Sequence, residues 1–179
     1  MKADGTVSRS AVDRHVTRGE VTGRAAGATP ERQLAAFIRK FEPRHQRLIR
    51  SVRKALRKRL PGAYELVYDN YNFFVIGYGP TERPSDAILS VAAGAGGVSL
   101  CFLRGAELPD PGKVLLGSGR QTRFVRLPSA RVLDRPEISR LMEAAVARSR
   151  TPLAGGRGRL LIRSVSARQR PRRSRPAPG

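Results

Sequence analysis

The stretch PRHQRLIRSVRKALRKRLPGAYELVYDNYNFFVIGYG, residues 43–79, changes its hydrophobic period halfway along, and that change decides the fold. Up to residue 60 the apolar positions follow a helical period. Leu48, Ile49, Val52, Ala55, Leu56 and Leu60 fall on one side of a helix spanning about 44–60. Arg47, Arg50, Arg53, Lys54, Arg57 and Lys58 fall on the other. Arg59 points toward the apolar side, where its stem can lie along the core while its charge reaches water at the negative helix end. Pro61-Gly62 stops the helix. From Tyr64 the period becomes two: Tyr64, Leu66 and Tyr68 alternate with Glu65, Val67 and Asp69. Asn70 and its neighbours make a turn, and Phe73 to Ile76 reads as the next strand, closed by Gly77-Tyr78-Gly79-Pro80.

Upstream, Thr29-Pro30-Glu31 is a helix opening, with a hydroxyl at the N-cap, proline at the first helical position and an acid near the positive end of the dipole. Leu34, Phe37, Ile38 and Phe41 share one face of that helix, which Pro43 ends or kinks. Downstream, Ala87–Ala92, Val98–Leu103 and Thr122–Leu127 read as strands, and Gly94-Ala95-Gly96-Gly97 is a hairpin signal between the first two. A last helix is expected over Arg135–Arg148, with Ile138, Leu141, Met142 and Ala145 facing inward. Helices at both ends of a run of strands describe an α+β, two-layer domain. Its antiparallel sheet of about five strands packs against N-terminal helices and a C-terminal helix.

Three segments follow from this reading. Residues 1–28 mix Gly, Thr, Ser, Arg and Ala without periodicity and are expected to be a disordered leader. The domain occupies 30–151, and 152–179 is a basic, mostly disordered tail in which Leu160, Leu161, Ile162 and Val165 can make one short extra element. No apolar run is long enough to cross a membrane, and charges interrupt the N-terminus where a signal peptide needs its apolar stretch, so a cytoplasmic protein is expected. Cys101, the only cysteine, reads as a small hydrophobe in a strand rather than a reactive thiol.

Charge is the main functional signal. The chain carries a formal +21, of which residues 30–60 supply +9 and residues 154–179 supply +8, while 61–153 net only +2. Three readings fit the basic helix face: a solvated surface, a contact for nucleic acid or another polyanion, or attachment to a membrane surface. Six cations without an interleaved acid repel one another at i,i+4 spacing, which weakens the first. The third competes with the core for the apolar face and lacks a tryptophan. Arg47, Arg50, Lys54, Arg57 and Lys58 are therefore the expected polyanion contacts, with the arginine run at 168–175 adding affinity.

A second candidate is Tyr68-Asp69-Asn70-Tyr71-Asn72, a carboxylate, two amides and two phenols between strands. Such a cluster binds a small polar ligand, or else Asp69 and Asn70 simply bond the backbone of a turn. Tyr68, Asp69, Asn70 and Asn72 are the candidate ligand residues, with Arg104 and Arg123 as cations that converge on them; strand alternation separates Arg123 from Arg126. Gly117-Ser118-Gly119-Arg120 is either an anion cradle or an ordinary tight loop. His15 and His45 are the only histidines, and no phosphate-binding or nucleophile-elbow motif occurs, so no catalytic residue, cofactor or metal site is expected.

Three groups of residues carry a family likeness: Leu60-Pro61-Gly62-Ala63-Tyr64 running on to Asn72, Arg104-Gly105 with Leu108-Pro109-Asp110-Pro111, and Leu116-Gly117-Ser118-Gly119 leading to Arg126-Leu127. In their order and spacing the chain resembles, over about 30–150, the YdhG-like domain-of-unknown-function family. The resemblance implies a compact α+β domain with helices on an antiparallel sheet and no established enzymatic activity. It marks Tyr68–Asn72 as the functional segment. Some members are described as frataxin-like intracellular iron carriers, so a small-ligand or iron carrier is the alternative function. This chain departs from that role, because iron sites need clustered carboxylates or histidines and its first two helices hold two acids in a cationic surface.

Overall fold

In the computed structural model, residues 27–156 and 158–174 are described. Helix α1 (Pro30–Arg39) opens as its sequence requires: the Thr29 hydroxyl accepts from the Arg32 amide at 3.3 Å and Pro30 fills the first turn. The chain bends through Lys40 and the buried Phe41, and Pro43, rather than only ending α1, starts α2 (Pro43–Arg59). Strands β1 (Tyr64–Asp69) and β2 (Phe74–Gly79) follow, then β3 (Leu89–Gly94), β4 (Gly97–Phe102) and β5 (Arg123–Arg126). Helix α3 (Pro136–Ala147) and strand β6 (Leu160–Val165) complete the elements.

The α+β class is as expected, but the sheet has six strands rather than five and is mixed rather than antiparallel. Its order is β5-β4-β3-β2-β1-β6. The first five pair antiparallel with sequential neighbours, and the Gly94–Gly97 hairpin closes with Gly97 at φ 131°, a left-handed backbone suited to glycine. Strand β6 runs parallel to β1, with a register shift between Val67 and Tyr68. Residues 152–179 are thus not simply a tail beyond the domain: 160–165 form a sheet edge, and 166–174 strap back across the body. Glycine makes the return possible. A Cβ on Gly158 would sit 1.7 Å from the Ala63 carbonyl oxygen, so only glycine lets the backbone approach β1 this closely. The leader expected over 1–28 falls almost entirely outside the described residues.

The three helices cover one face of the sheet. Val67, Phe74, Ile76, Tyr78, Leu89, Val91, Val98, Leu100, Phe102 and Val125 alternate along their strands and join Leu34, Ile49, Val52, Leu56, Leu133, Ile138 and Leu141 in one core. The inward phase of β1 is therefore Glu65, Val67 and Asp69, which places two carboxylates beneath the helices. Cys101 lies buried in β4, where desolvation pushes its thiol up to about 12 against a bond from Ser90. His45, near the start of α2, is also buried, and desolvation followed by neighbouring Arg44 lowers its pKa.

Candidate functional site

The two inward carboxylates of β1 are held in different ways. Glu65, near the start of the strand, lies under α2, where Arg53 bonds it through Nε (2.9 Å) and Nη2 (2.7 Å). The same guanidinium bonds both Glu31 oxygens on α1, at 2.8 and 2.9 Å. Burial opposes the Arg53 charge, but the bonds to Glu65 and Glu31 outweigh it and raise its pKa. The Arg53 bond likewise holds Glu31 below the usual carboxylate range. Arg53 is thereby withdrawn from the outward basic face. Arg57 approaches the same acids only at 3.8 and 3.9 Å.

Arg47, Arg50, Lys54 and Lys58 are exposed, and none forms an ion pair with a carboxylate among the described residues. Their spacing of three, four and four residues puts one cation on each successive turn, a stripe about 16 Å long at the helical rise. Arg50 and Lys54 also line a groove of about 370 Å³ between α1 and α2, floored by Leu34, Ala35 and Ile38. This side of the molecule presents cations with access from solvent.

At the other end of β1, Asp69 is fully buried. Lys40, just past α1, reaches its Oδ2 at 2.5 Å, and Arg172, from the strap, donates Nη2 to its Oδ1 at 3.1 Å. Arg172 is itself 4% exposed. Its Nη1 bonds the Asn72 carbonyl at 2.8 Å, its Nη2 also bonds the Asn70 carbonyl, and its guanidinium carbon lies 6.0 Å from the Phe41 ring centroid. Gln169 adds bonds to the Asp69 carbonyl and to Lys40. The Asn70 side chain bonds Ser164 at 2.6 Å. Asp69 does not have the expected backbone duty of a turn; it anchors two cations.

The expected constellation is thus only half assembled. The Asp69 carboxylate and the backbone carbonyls of Asn70 and Asn72 converge on Arg172, while Tyr68 lies on the opposite phase of β1, where burial raises its pKa against the pull of Arg163. Tyr71 is half exposed and stacked near Arg170. Arg104 and Arg123 do not join the cluster, because they belong to the far end of the sheet, beyond β4 and in β5. Arg104 chelates Glu107 at 2.7 and 3.1 Å, and Arg123 bonds the Gly119 and Thr122 carbonyls, so the Gly117–Arg120 segment is organised as a loop around Arg123. The cations that do meet Asp69 are Lys40 and Arg172. Nothing in the sequence near them marks the pair, since Arg172 sits among similar arginines; the one usable signal is that an inward carboxylate on a buried strand demands a cation.

Among the described residues no three His, Cys, Asp or Glu side chains stand together to hold a metal ion, and no helix is long and apolar enough to cross a membrane. No protein-family model matches the chain, and neither a curated protein nor a solved structure matches it.

Proposed function

We propose that the protein binds a polyanion, most simply the phosphate backbone of a nucleic acid, without catalysing a reaction on it. The observation that carries this reading is the stripe Arg47, Arg50, Lys54 and Lys58, exposed on successive turns of α2 without a carboxylate partner among the described residues, with Arg57 partly shared beside it. Like charges so arranged cost stability unless an anionic partner neutralises them. Strap residue Arg173 bonds the Lys40 and Arg39 carbonyls, and the Ser174 amide bonds Glu42, which also pairs with Arg44. The strapped arginines therefore continue the basic surface past the start of α2. Phosphate contacts of this kind supply affinity and salt dependence but no base selectivity. A non-enzymatic binding domain is also what the resemblance to the YdhG-like family implies.

The carrier alternative is weaker, since the Asp69 carboxylate that would hold a metal or polar ligand is engaged by Lys40 and Arg172. Fluorescence anisotropy with a labelled duplex, titrated over NaCl concentration, tests the polyanion reading. Replacing Arg47, Arg50, Lys54 and Lys58 together by Gln, all at exposed positions, is expected to weaken binding and to lower the log–log salt slope by about 3 to 4. An unchanged affinity and slope in a folded variant would remove α2 from the interface.

A further inference from the structure

Segment 166–174 is retained in an unusual way. Its apolar residues, Ala167 and Pro171, are both exposed, and its single buried residue is Arg172. The remaining contacts are polar: the Ser166 amide and Gln169 Nε2 to the Asp69 carbonyl, Lys40 to Gln169 Oε1, Arg170 N to the Tyr71 carbonyl, Arg173 to two carbonyls, and Ser174 to Glu42 and Ala95, most of them at the surface. Such bonds exchange with water at little net cost, so the segment is fastened chiefly by one guanidinium.

What receives that guanidinium is built entirely from acceptors on residues 69–72. Asp69 Oδ1, the Asn70 carbonyl and the Asn72 carbonyl take the two terminal nitrogens, the Phe41 ring lies alongside, and Lys40 fixes the second Asp69 oxygen. Arg172 Nε, also buried, finds no acceptor among the described residues, so recognition is end-on, of the two Nη groups rather than of the whole arginine. A planar cation with donors on two nitrogens matches three divergent oxygens, whereas a single ammonium nitrogen cannot span them. Removing Arg172 takes away the donors it gives to Asp69 Oδ1 and to the Asn70 and Asn72 carbonyls, which drives recruitment of a replacement.

We propose that Asp69, Asn70 and Asn72, with Phe41, form a receptor for an arginine side chain, which the chain fills with its own Arg172 and which takes a guanidinium group in trans when segment 166–174 is drawn away. The ligand class is an exposed arginine of a peptide or a free alkylguanidinium. The site stands whether or not α2 binds nucleic acid.

Thermal unfolding of the full chain carrying Arg172→Ala tests it, with methylguanidinium as the probe and methylammonium as the control. The variant is expected to melt below the native chain and to regain about 4 °C, saturably, at ten times the methylguanidinium dissociation constant. Methylammonium should restore less than half of that. The native chain, its receptor already filled, and the double variant Arg172→Ala/Asp69→Asn should show no saturable gain. Should Arg172→Ala fail to fold, Arg172→Lys keeps a charge beside Asp69 and permits the same titration. A folded variant that ignores methylguanidinium, that responds equally to methylammonium, or whose response survives the loss of the Asp69 charge would overturn the proposal.

Discussion

Two carboxylates facing into the helix layer are the residues on which this molecule depends most. Glu65 and Asp69 lose their hydration on folding and are met by cations from α2, from Lys40 just past α1 and from the strap. Replacing Arg53 by Met strands Glu65 under α2 with only Arg57 nearby at 3.9 Å, and is expected to cost about 3 kcal/mol in urea denaturation. The double variant Arg53→Met/Glu65→Leu should recover most of that loss, because the apolar pair no longer carries a desolvated charge. The pH response of the single variant has a defined sign. Arg53 holds Glu31 below its ordinary pKa, so this contribution is present above the unfolded value and is lost as pH falls through the folded one. Without Arg53 the acid limb of the stability curve should be shallower; a limb of unchanged slope would show that Glu31 gains nothing from the contact. Glu31 is more than half exposed, so screening keeps this effect small.

At the scale of elements, β6 carries the main difference from the sequence reading. Leu160 and Ile162 are half-buried against the core beside Glu65 and Val67, whereas Arg163 is exposed and meets only the Tyr68 side of the sheet. Ile162→Ala is therefore expected to cost about 1 to 2 kcal/mol, and Arg163→Ala to stay within about 0.5 kcal/mol, both by chemical denaturation. Equal effects would mean that β6 does not pair with β1 in this register. The helices, the Gly94–Gly97 hairpin and the five sequential strands were legible because their signals are local: Thr29-Pro30 at a start, Pro61-Gly62 at a stop, and a period that switches from 3.6 to 2. The apolar run at 160–162 was visible as an element, but its destination was not. Parallel pairing with a strand nearly the whole domain away leaves no mark in adjacent residues. The candidate site was legible to the same extent: Asp69, Asn70 and Asn72 come from one loop and its strand, whereas Lys40 and Arg172 reach them from opposite ends of the chain.

Over the whole molecule, charge acts against compactness. The chain carries a formal +21; folding brings together the cationic excess of the described residues, and only some of those cations are compensated, by exposed pairs such as Arg104–Glu107 and Arg159–Glu82. Salt screens repulsion between exposed charges over a Debye length of about 10 Å at 0.1 M, while the buried pairs at Glu65 and Asp69 are screened far less. The melting temperature should therefore rise between about 0.02 M and 0.5 M NaCl. A fall over that range would mean that the exposed ion pairs stabilise more than the repulsion destabilises.

The place of β6 also bears on how the chain is made. Residues 160–174 leave the ribosome after the other five strands, so until they emerge the first strand has an open edge and Asp69 lacks its guanidinium partner. Any sheet assembled before that point has β1 as its unprotected margin.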